Sequence, residues 1–468
     1  MMTSSPAASG RRPARALALV FGAGVLLRLA ILAATPDLPI RIADEGHYHV
    51  LATSLVEGRG FSFESGPTSL RPPLYPAFIT ALWTMSGTHS LQVVRGAQIG
   101  LSLATVWLVF WTTRRLYDER AALYAAAITM FYPALIASNY FLLTETLFTF
   151  LVVLAIALTV AVLQWPSLWR AAALGACVGL AALTRSVFWP FPVVLGAALV
   201  WLTAGPVRLR IGIAVAVLVG AVVVLAPWSV RNTRLQRVPI VVDTMGGMNL
   251  RMGNYEHTPH DRIWDAVSMT GGKSWIVGLP SPPAGAGPWT EGQKERWARD
   301  RAIAFMTAHP GLTLWRAVIK LGDFWALDRD FIAGLQQGLF RPPAWFAVAA
   351  AGAMLLAYPL VLVFAVGGIF LRPPPDWRAH VLLLLVVAFV CALHTIVFGH
   401  PRYRLPLMPV LGIYAGAAFA SGTWRHVSMR TARAPVLVLV LLAGAWTAQF
   451  IVRDWSYAER LLAMGARL

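Results

Sequence analysis

Two adjacent carboxylates, Asp44 and Glu45, follow the first long apolar run, in the segment Arg41-Ile-Ala-Asp44-Glu45-Gly-His47-Tyr48. Carboxylates at a membrane edge can act as a general base or hold a cation. They equally suit the first turn of a helix, where acids complement exposed N–H groups. Asp44, Glu45, His47 and His49 alternate in a way that matches no helical ligand face, so no metal site is expected. Arginines with the geometry for phosphate come next. Arg71 precedes a proline pair in Leu70-Arg71-Pro72-Pro73-Leu74-Tyr75-Pro76. The prolines fix the backbone there. A guanidinium held in that way can bind a lipid phosphate or simply anchor the chain at the interface. Arg231 and Asn232 close Pro227-Trp228-Ser229-Val230-Arg231-Asn232, and Arg402, Tyr403 and Arg404 lie in His400-Pro401-Arg402-Tyr403-Arg404. Arg185 stands in a tight turn at 184–186. Together Arg71, Arg185, Arg231, Arg402 and Arg404 would ring one outer-leaflet cavity, with Asp44 and Glu45 among them. Glu145 is the one carboxylate inside an apolar run, where a charge is costly. It is expected to pair with an arginine, either in the site or as a buried structural ion pair.

These residues need a membrane scaffold. The chain has 468 residues, 57% hydrophobic and only 13% charged, about half the roughly 25% charged share of soluble domains. That excludes a water-soluble fold, and it excludes disorder, which needs low hydrophobicity. About 20 apolar residues cross the hydrocarbon. Eleven segments qualify: 16–34, 90–112, 120–137, 139–163, 169–184, 187–203, 210–228, 343–370, 380–398, 405–421 and 434–451. The first resembles a signal peptide behind Arg11, Arg12 and Arg15, but its apolar run is long and reads as an uncleaved span. Residues 73–86 are apolar but short and read as an interfacial helix. The sequence therefore predicts an all-α polytopic protein of about 11 spans, with juxtamembrane helices and a small mixed loop domain.

The formal charge of +18 comes from 39 Lys+Arg against 21 Asp+Glu. In so apolar a chain it points to basic cytoplasmic loops, not to nucleic acid. Arg114, Arg115, Arg120, Arg170, Arg208, Arg210, Arg372, Arg378, Arg425, Arg430 and Arg433 fall in alternate loops, which places the N-terminus in the cytoplasm. Trp165, Trp169, Trp201, Trp228, Trp377 and Trp424 stand near helix ends, the depth amphipathic rings prefer. The acids collect on the other face: five in 35–72 and ten in 229–341, from Asp243 to Asp330. Three regions follow: an N-terminal transmembrane module over 1–228 with its first outer loop at 35–89, a loop region at 229–341, and C-terminal helices over 342–468. Cys177 and Cys391 lie in apolar runs and read as core residues.

As an ordered set, these motifs resemble the membrane-embedded GT-C glycosyltransferases. The similarity is to the family 39/83 group of protein O-mannosyltransferases and lipid A aminoarabinose transferases. It rests on Asp44-Glu45, Gly58-Arg59-Gly60-Phe61-Ser62, Arg71-Pro72-Pro73-Leu74-Tyr75-Pro76, Thr144-Glu145-Thr146, Leu183-Thr184-Arg185, Pro227-Trp228-Ser229-Val230-Arg231-Asn232 and Arg402-Tyr403-Arg404-Leu405-Pro406. It spans roughly residues 16–421. The resemblance implies a donor sugar on a polyprenyl phosphate, presented at the extracytoplasmic face of the plasma membrane to a glycan, lipid or protein acceptor. By the same likeness Asp44 is the catalytic base of an inverting transfer. Glu45, His47, Tyr48, Tyr75, Glu145 and Tyr403 are then substrate contacts, and Arg71, Arg185, Arg231, Asn232, Arg402 and Arg404 phosphate contacts. No cofactor beyond the lipid-linked donor is implied. In the aminoarabinose enzymes lysine often stands where Arg71 is. The alternative is a secondary transporter or flippase for a phosphate-bearing lipid, for which Arg28 and Arg95 in apolar runs are the candidates. Such proteins usually show internal repeats, and none is visible. More simply, Arg28 and Arg95 snorkel or pair with carboxylates.

Overall fold

A computed structural model describes residues 11–285, 287–329, 342–422 and 428–455, with Ile332, Gly334, Leu335 and Glu459. Asp330, Trp424 and Arg425 lie outside the described residues. Each of the eleven apolar segments contains a helix, though 139–144 is turn rather than helix. Seven of the helices are long and apolar enough to cross a membrane. These are α1 (Arg11–Ala34), α4 (Leu91–Leu116), α7 (Glu145–Gln164), α10 (Val207–Gln236), α14 (Ala344–Leu371), α15 (Trp377–Ile396) and α17 (Met429–Gln449). The shorter apolar helices α8 (Leu168–Thr184) and α9 (Phe191–Leu202) pack among them. The segment expected at 120–137 is broken into α5 (Glu119–Phe131) and α6 (Pro133–Ala137). Pro133 has no N–H to continue the ladder and pushes Tyr132 out of helical geometry, and Tyr132 has ψ 116°. α16 (Met408–Ser421) follows a 3₁₀ turn at Pro401–Leu407.

Between α1 and α4 lie α2 (Ala43–Val56), a hairpin of β1 (Ser62–Phe63) with β2 (Gly66–Pro67), and α3 (Leu74–Ser86). At 13 residues α3 is too short to cross the bilayer. The region after α10 holds α11 (Met245–Met252), α12 (Glu291–Ala308) and α13 (Pro310–Phe324). Where a mixed loop domain was expected, the described residues of 229–341 are helices and coil.

α10 runs eight residues past its expected end at 228, with Pro227 inside it. Its last turns are fastened from the side, which offsets the missing hydrogen bond. Trp228 Nε1 and Asn232 Nδ2 both donate to the Val242 carbonyl (2.8 and 2.7 Å), and Ser229 donates to the Ile240 carbonyl (3.0 Å). The helix closes at Arg237 with φ 59°, the one non-glycine residue with positive φ among those described. α8 and α10 cross in backbone contact. A Cβ built on Gly175 would fall 2.0 Å from the Val217 carbonyl oxygen, and one on Gly220 2.2 Å from that of Ala172. Small residues at such crossings are how membrane helices approach closely.

The connections separate by end. The Tyr117 hydroxyl donates to the Arg372 carbonyl (3.0 Å), Trp201 lies edge-on to Trp377, and Arg115 sits over Trp111 and Trp165. The short basic turns thus share one end, with Trp165, Trp169, Trp201 and Trp377 exposed there. Segments 35–90, 138–144, 184–190, 237–329 and 397–407 meet at the opposite end.

Arg28 and Arg95 correct the sequence reading. Neither snorkels nor pairs with a carboxylate, and both are fully buried. Arg28 donates to Asn139 Oδ1, Ser102 Oγ and the Gly24 and Met130 carbonyls. Arg95 donates to the carbonyls of Tyr140 and Leu38. The broken backbone at 131–141 and the turn after α1 leave carbonyls without helical partners, and these arginines take them. α13 is inverted. Leu314, Trp315, Val318 and Leu321 are exposed while Arg316, Lys320 and Asp323 face inward. Lys320 Nζ donates to Asn254 Oδ1 and the Ile396 carbonyl, both at 2.7 Å. Arg316 donates to the Thr258 carbonyl (3.0 Å), and Arg453 lies 2.8 Å from Asp323.

Candidate functional site

The site forms where the first turn of α2, the loop before α3, the start of α7, the turn after α8 and the 3₁₀ turn before α16 converge. Glu45 sets the entry of α2. Its Oε2 accepts the amides of Arg41 and Ile42 (3.2 and 3.1 Å), and its Oε1 accepts that of Leu142 (2.9 Å). Expected as a substrate contact, Glu45 is buried and occupied by backbone. Asp44, beside it, stays partly open at 30% side-chain exposure.

Arg71, fixed by the following prolines, brings its Nη2 to 2.6 Å from Asp44 Oδ1 and donates to His47 Nδ1 (2.9 Å). It also lies 5.8 Å from the Tyr48 ring centre. Arg402 Nη1 approaches the second Asp44 oxygen at 3.4 Å, and its Nε donates to Glu145. Arg185 Nη1 stands 3.3 Å from the same Glu145 oxygen. The result is a row in alternating charge, Arg71–Asp44–Arg402–Glu145–Arg185: three guanidinia against two carboxylates. Burial works against the charge on Asp44, yet the Arg71 and Arg402 guanidinia outweigh it and hold the carboxyl below its usual range. Burial and the Arg71 charge keep His47 below its ordinary value. Glu145 Oε2 is buried and has no hydrogen-bond partner among the described residues.

Aromatic rings wall this row. Arg185 sits over Tyr403 (5.1 Å), whose ring stacks on His394 at 4.2 Å, and over Phe148 (5.7 Å). Tyr75 packs edge-on to Tyr48 and donates to Gln98 Oε1 (2.8 Å), so it supports the row from beneath.

Three arginines meet in the row; the other two expected there do not. Arg231 donates to the carbonyls of Thr68 and Phe61 and to Asn232 Oδ1, with its guanidinium 4.6 Å from the Trp228 ring centre. Asn232 in turn accepts from Ser69 Oγ (2.9 Å). This second network ties α10 to the loop carrying Arg71. Arg404 is turned into the core, where it pairs with Asp328, donates to the Phe324 carbonyl (2.8 Å) and lies 3.7 Å from the Tyr358 ring centre.

The sequence reading did not single out Asp243. The Thr244 amide donates to the Ser69 carbonyl (3.0 Å), hanging the 240–244 strap along the Arg71 loop. Asp243 Oδ1 accepts the Met245 amide (3.2 Å), with Ser186 near its carboxylate. Burial pushes it up to about 6 against the pull of Ser186, Met245 and Arg71. Its one sequence cue is the apolar Pro239-Ile-Val-Val242 run before it.

Residues 70–230 match the family model described as dolichyl-phosphate-mannose-protein mannosyltransferase. That stretch includes Arg71, Tyr75, Glu145 and Arg185. No curated protein matches the chain. Among solved structures it is similar to the apo oligosaccharyltransferase of Archaeoglobus fulgidus, at 13% identity and TM-score 0.50 over 93% of this chain and 55% of that one. A second similarity is to ArnT from Cupriavidus metallidurans bound to undecaprenyl phosphate, at 15% identity and TM-score 0.46 over 90% of this chain and 63% of that one. The chain thus spans under two thirds of either. At these identities the likeness to the oligosaccharyltransferase is one of fold, and the architecture is that of the GT-C membrane glycosyltransferases.

Proposed function

We propose that the protein transfers a sugar from a polyprenyl-phosphate donor to a hydroxyl of a lipid, glycan or protein acceptor, at the end of the helix bundle where Asp44 and the three arginines meet. In this reading it is a multi-pass plasma-membrane enzyme with a cytoplasmic N-terminus. The basic turns gathered at the opposite end support that orientation. The observation that carries the reading is the arginine-rich row itself. A sugar–phosphate–lipid diester carries one negative charge and its departing monoester carries more, and the row has one guanidinium in excess. Preorganised cations of this kind stabilise charge as it develops on a leaving group. The matched family's description, which names a dolichyl-phosphate sugar, supports the same donor class.

The simplest course is a single inverting displacement. The acceptor oxygen attacks the anomeric carbon, the lipid phosphate leaves, and a carboxylate takes the hydroxyl proton; Asp44 is the carboxylate the sequence puts forward. Retention would call for a second carboxylate nucleophile about 5 Å from the first. The test is transfer from a polyprenyl-phosphate sugar by the purified full-length protein, with Asp44→Asn alongside and mass spectrometry of co-purified lipids. Transfer lost in the variant is expected. Full activity in Asp44→Asn removes Asp44 from the mechanism, and failure to bind any lipid-phosphate sugar refutes the class. Lipid flux into liposomes without transfer would favour a flippase.

A further inference from the structure

The three guanidinia of the row are not held alike. Arg71 is fixed by Asp44 and His47, and Arg402 by Asp44 and Glu145. Arg185 has one polar side-chain contact among the described residues, the Glu145 oxygen at 3.3 Å. Its backbone is set by the end of α8, where its amide donates to the Ala181 carbonyl (2.9 Å). The rest of its seat is aromatic, the Phe148 ring centre at 5.7 Å and that of Tyr403 at 5.1 Å. A guanidinium lying on ring faces keeps most of its N–H donors for an anion, but its place depends on where the rings stand.

Tyr403 belongs to a column of stacked groups. His394, in the last turn of α15, stacks on it at 4.2 Å with the two planes 14° apart. Phe324, the last residue of α13, stacks on His394 at 5.8 Å and 19°. His394 and Phe324 are both buried. The far end of the column is tied down, since the Phe324 carbonyl accepts Arg404 (2.8 Å) and Lys320 of the same helix reaches the Ile396 carbonyl (2.7 Å). Trp264 stands edge-on to Tyr403 at 5.9 Å. Phe324–His394–Tyr403–Arg185 thus runs from the outer helix α13 into the row, each planar group resting on the next.

We infer that His394 is a positioning residue for Arg185, acting through the Tyr403 ring, and that the plane of its ring does this rather than its nitrogens. The inference rests on the proposed transfer, in which Arg185 meets the donor phosphate. Without a plane at 394, Tyr403 loses the partner that fixes its tilt, and the guanidinium resting on it loses its aim.

The experiment takes the full-length wild type, His394→Phe and His394→Leu in detergent micelles, and repeats both substitutions in Arg185→Gln protein. Polyprenyl-phosphate mannose is the donor probe for KM and kcat, polyprenyl phosphate alone is the probe for Kd, and melting reports the folded state. Phenylalanine keeps a plane at that place, whereas leucine keeps apolar bulk without one. His394→Phe is expected to hold donor KM within about twofold of the wild type. His394→Leu is expected to raise donor KM and the Kd for polyprenyl phosphate by about three- to tenfold, the range that one aromatic stack corresponds to, with a smaller change in kcat. In Arg185→Gln protein neither substitution should move Kd further, because the group they position is gone. The assignment is overturned if His394→Leu leaves KM and Kd unchanged, or if the leucine and phenylalanine variants behave alike. It is equally overturned if leucine raises Kd by the same factor in Arg185→Gln protein, as a general loosening of the bundle would. Wild type that binds polyprenyl phosphate but transfers no sugar refutes the transfer reading alone, and Kd still decides the role of His394. Wild type that binds neither probe refutes both.

Discussion

The crossing of α8 and α10 permits a sharp test, because its cost can be worked from the contact. A methyl on Gly175 would stand 2.0 Å from the Val217 oxygen and one on Gly220 2.2 Å from the Ala172 oxygen, against 3.4 Å for ordinary contact. Gly175→Ala must therefore part the helices by up to about 1.4 Å. Overpacking of this kind costs about 1–3 kcal/mol, and replacing a helical glycine returns at most about 1 kcal/mol. A net loss of about 1–2 kcal/mol is expected, read as a lower melting temperature of the purified protein. Once the helices have parted for one methyl the second fits, so the Gly175→Ala/Gly220→Ala protein should lose less than the sum of the single losses. Transfer activity should fall as well, since α8 leads directly into Arg185 and α10 bears the Arg231–Asn232 clasp. Gly96→Ala is the control, for a methyl there meets open space. A Gly175→Ala protein that melts with the wild type, or strictly additive losses, would refute the close crossing.

Other outcomes follow from the site and its supports. Asp328→Asn removes the carboxylate paired with the buried Arg404 guanidinium, which keeps its bond to the Phe324 carbonyl; breaking a buried pair costs up to about 3–5 kcal/mol, so melting should drop while the activity of the remaining folded protein persists. Asp44 is held below its ordinary value of 3.8, so its charge adds stability that is in place above that pH and lost as pH falls through the lower folded value. Acid titration followed by melting should show this dependence in the wild type and not in Asp44→Asn. Arg237→Gly should raise stability by up to about 1 kcal/mol, because glycine adopts the left-handed conformation without steric penalty; a lower melting temperature would contradict the φ of 59° at that residue.

Hydropathy is a local property, and it located the seven helices long and apolar enough to cross a membrane, the short α3, and α12 near 291–308. The sequence failed where the outcome depends on a distant partner. The apolar run ends at 228, yet α10 continues to Gln236 because Val242 and Ile240 come back to receive its side chains. Arginine motifs of similar appearance have opposite fates. Arg402 turns to Asp44 and Glu145, while Arg404, two residues on, turns to Asp328. Asp44 stood out because it follows a membrane helix. Asp243 did not, because an acid in an acid-rich loop looks solvated until the strap beside Ser69 is seen.

The inverted α13 sets an order of events during synthesis. Its buried cation Lys320 waits for the carbonyl of Ile396, and its buried Asp323 waits for Arg453, some 76 and 130 residues further along the chain. Until α17 has emerged, Lys320 lacks the Ile396 carbonyl or holds it without the helices that follow, with Asn254 as its upstream acceptor, and Asp323 lacks Arg453. A ribosome stalled between Leu371 and Arg453 would thus hold a protein whose early spans are in place and whose loop region is still unfinished.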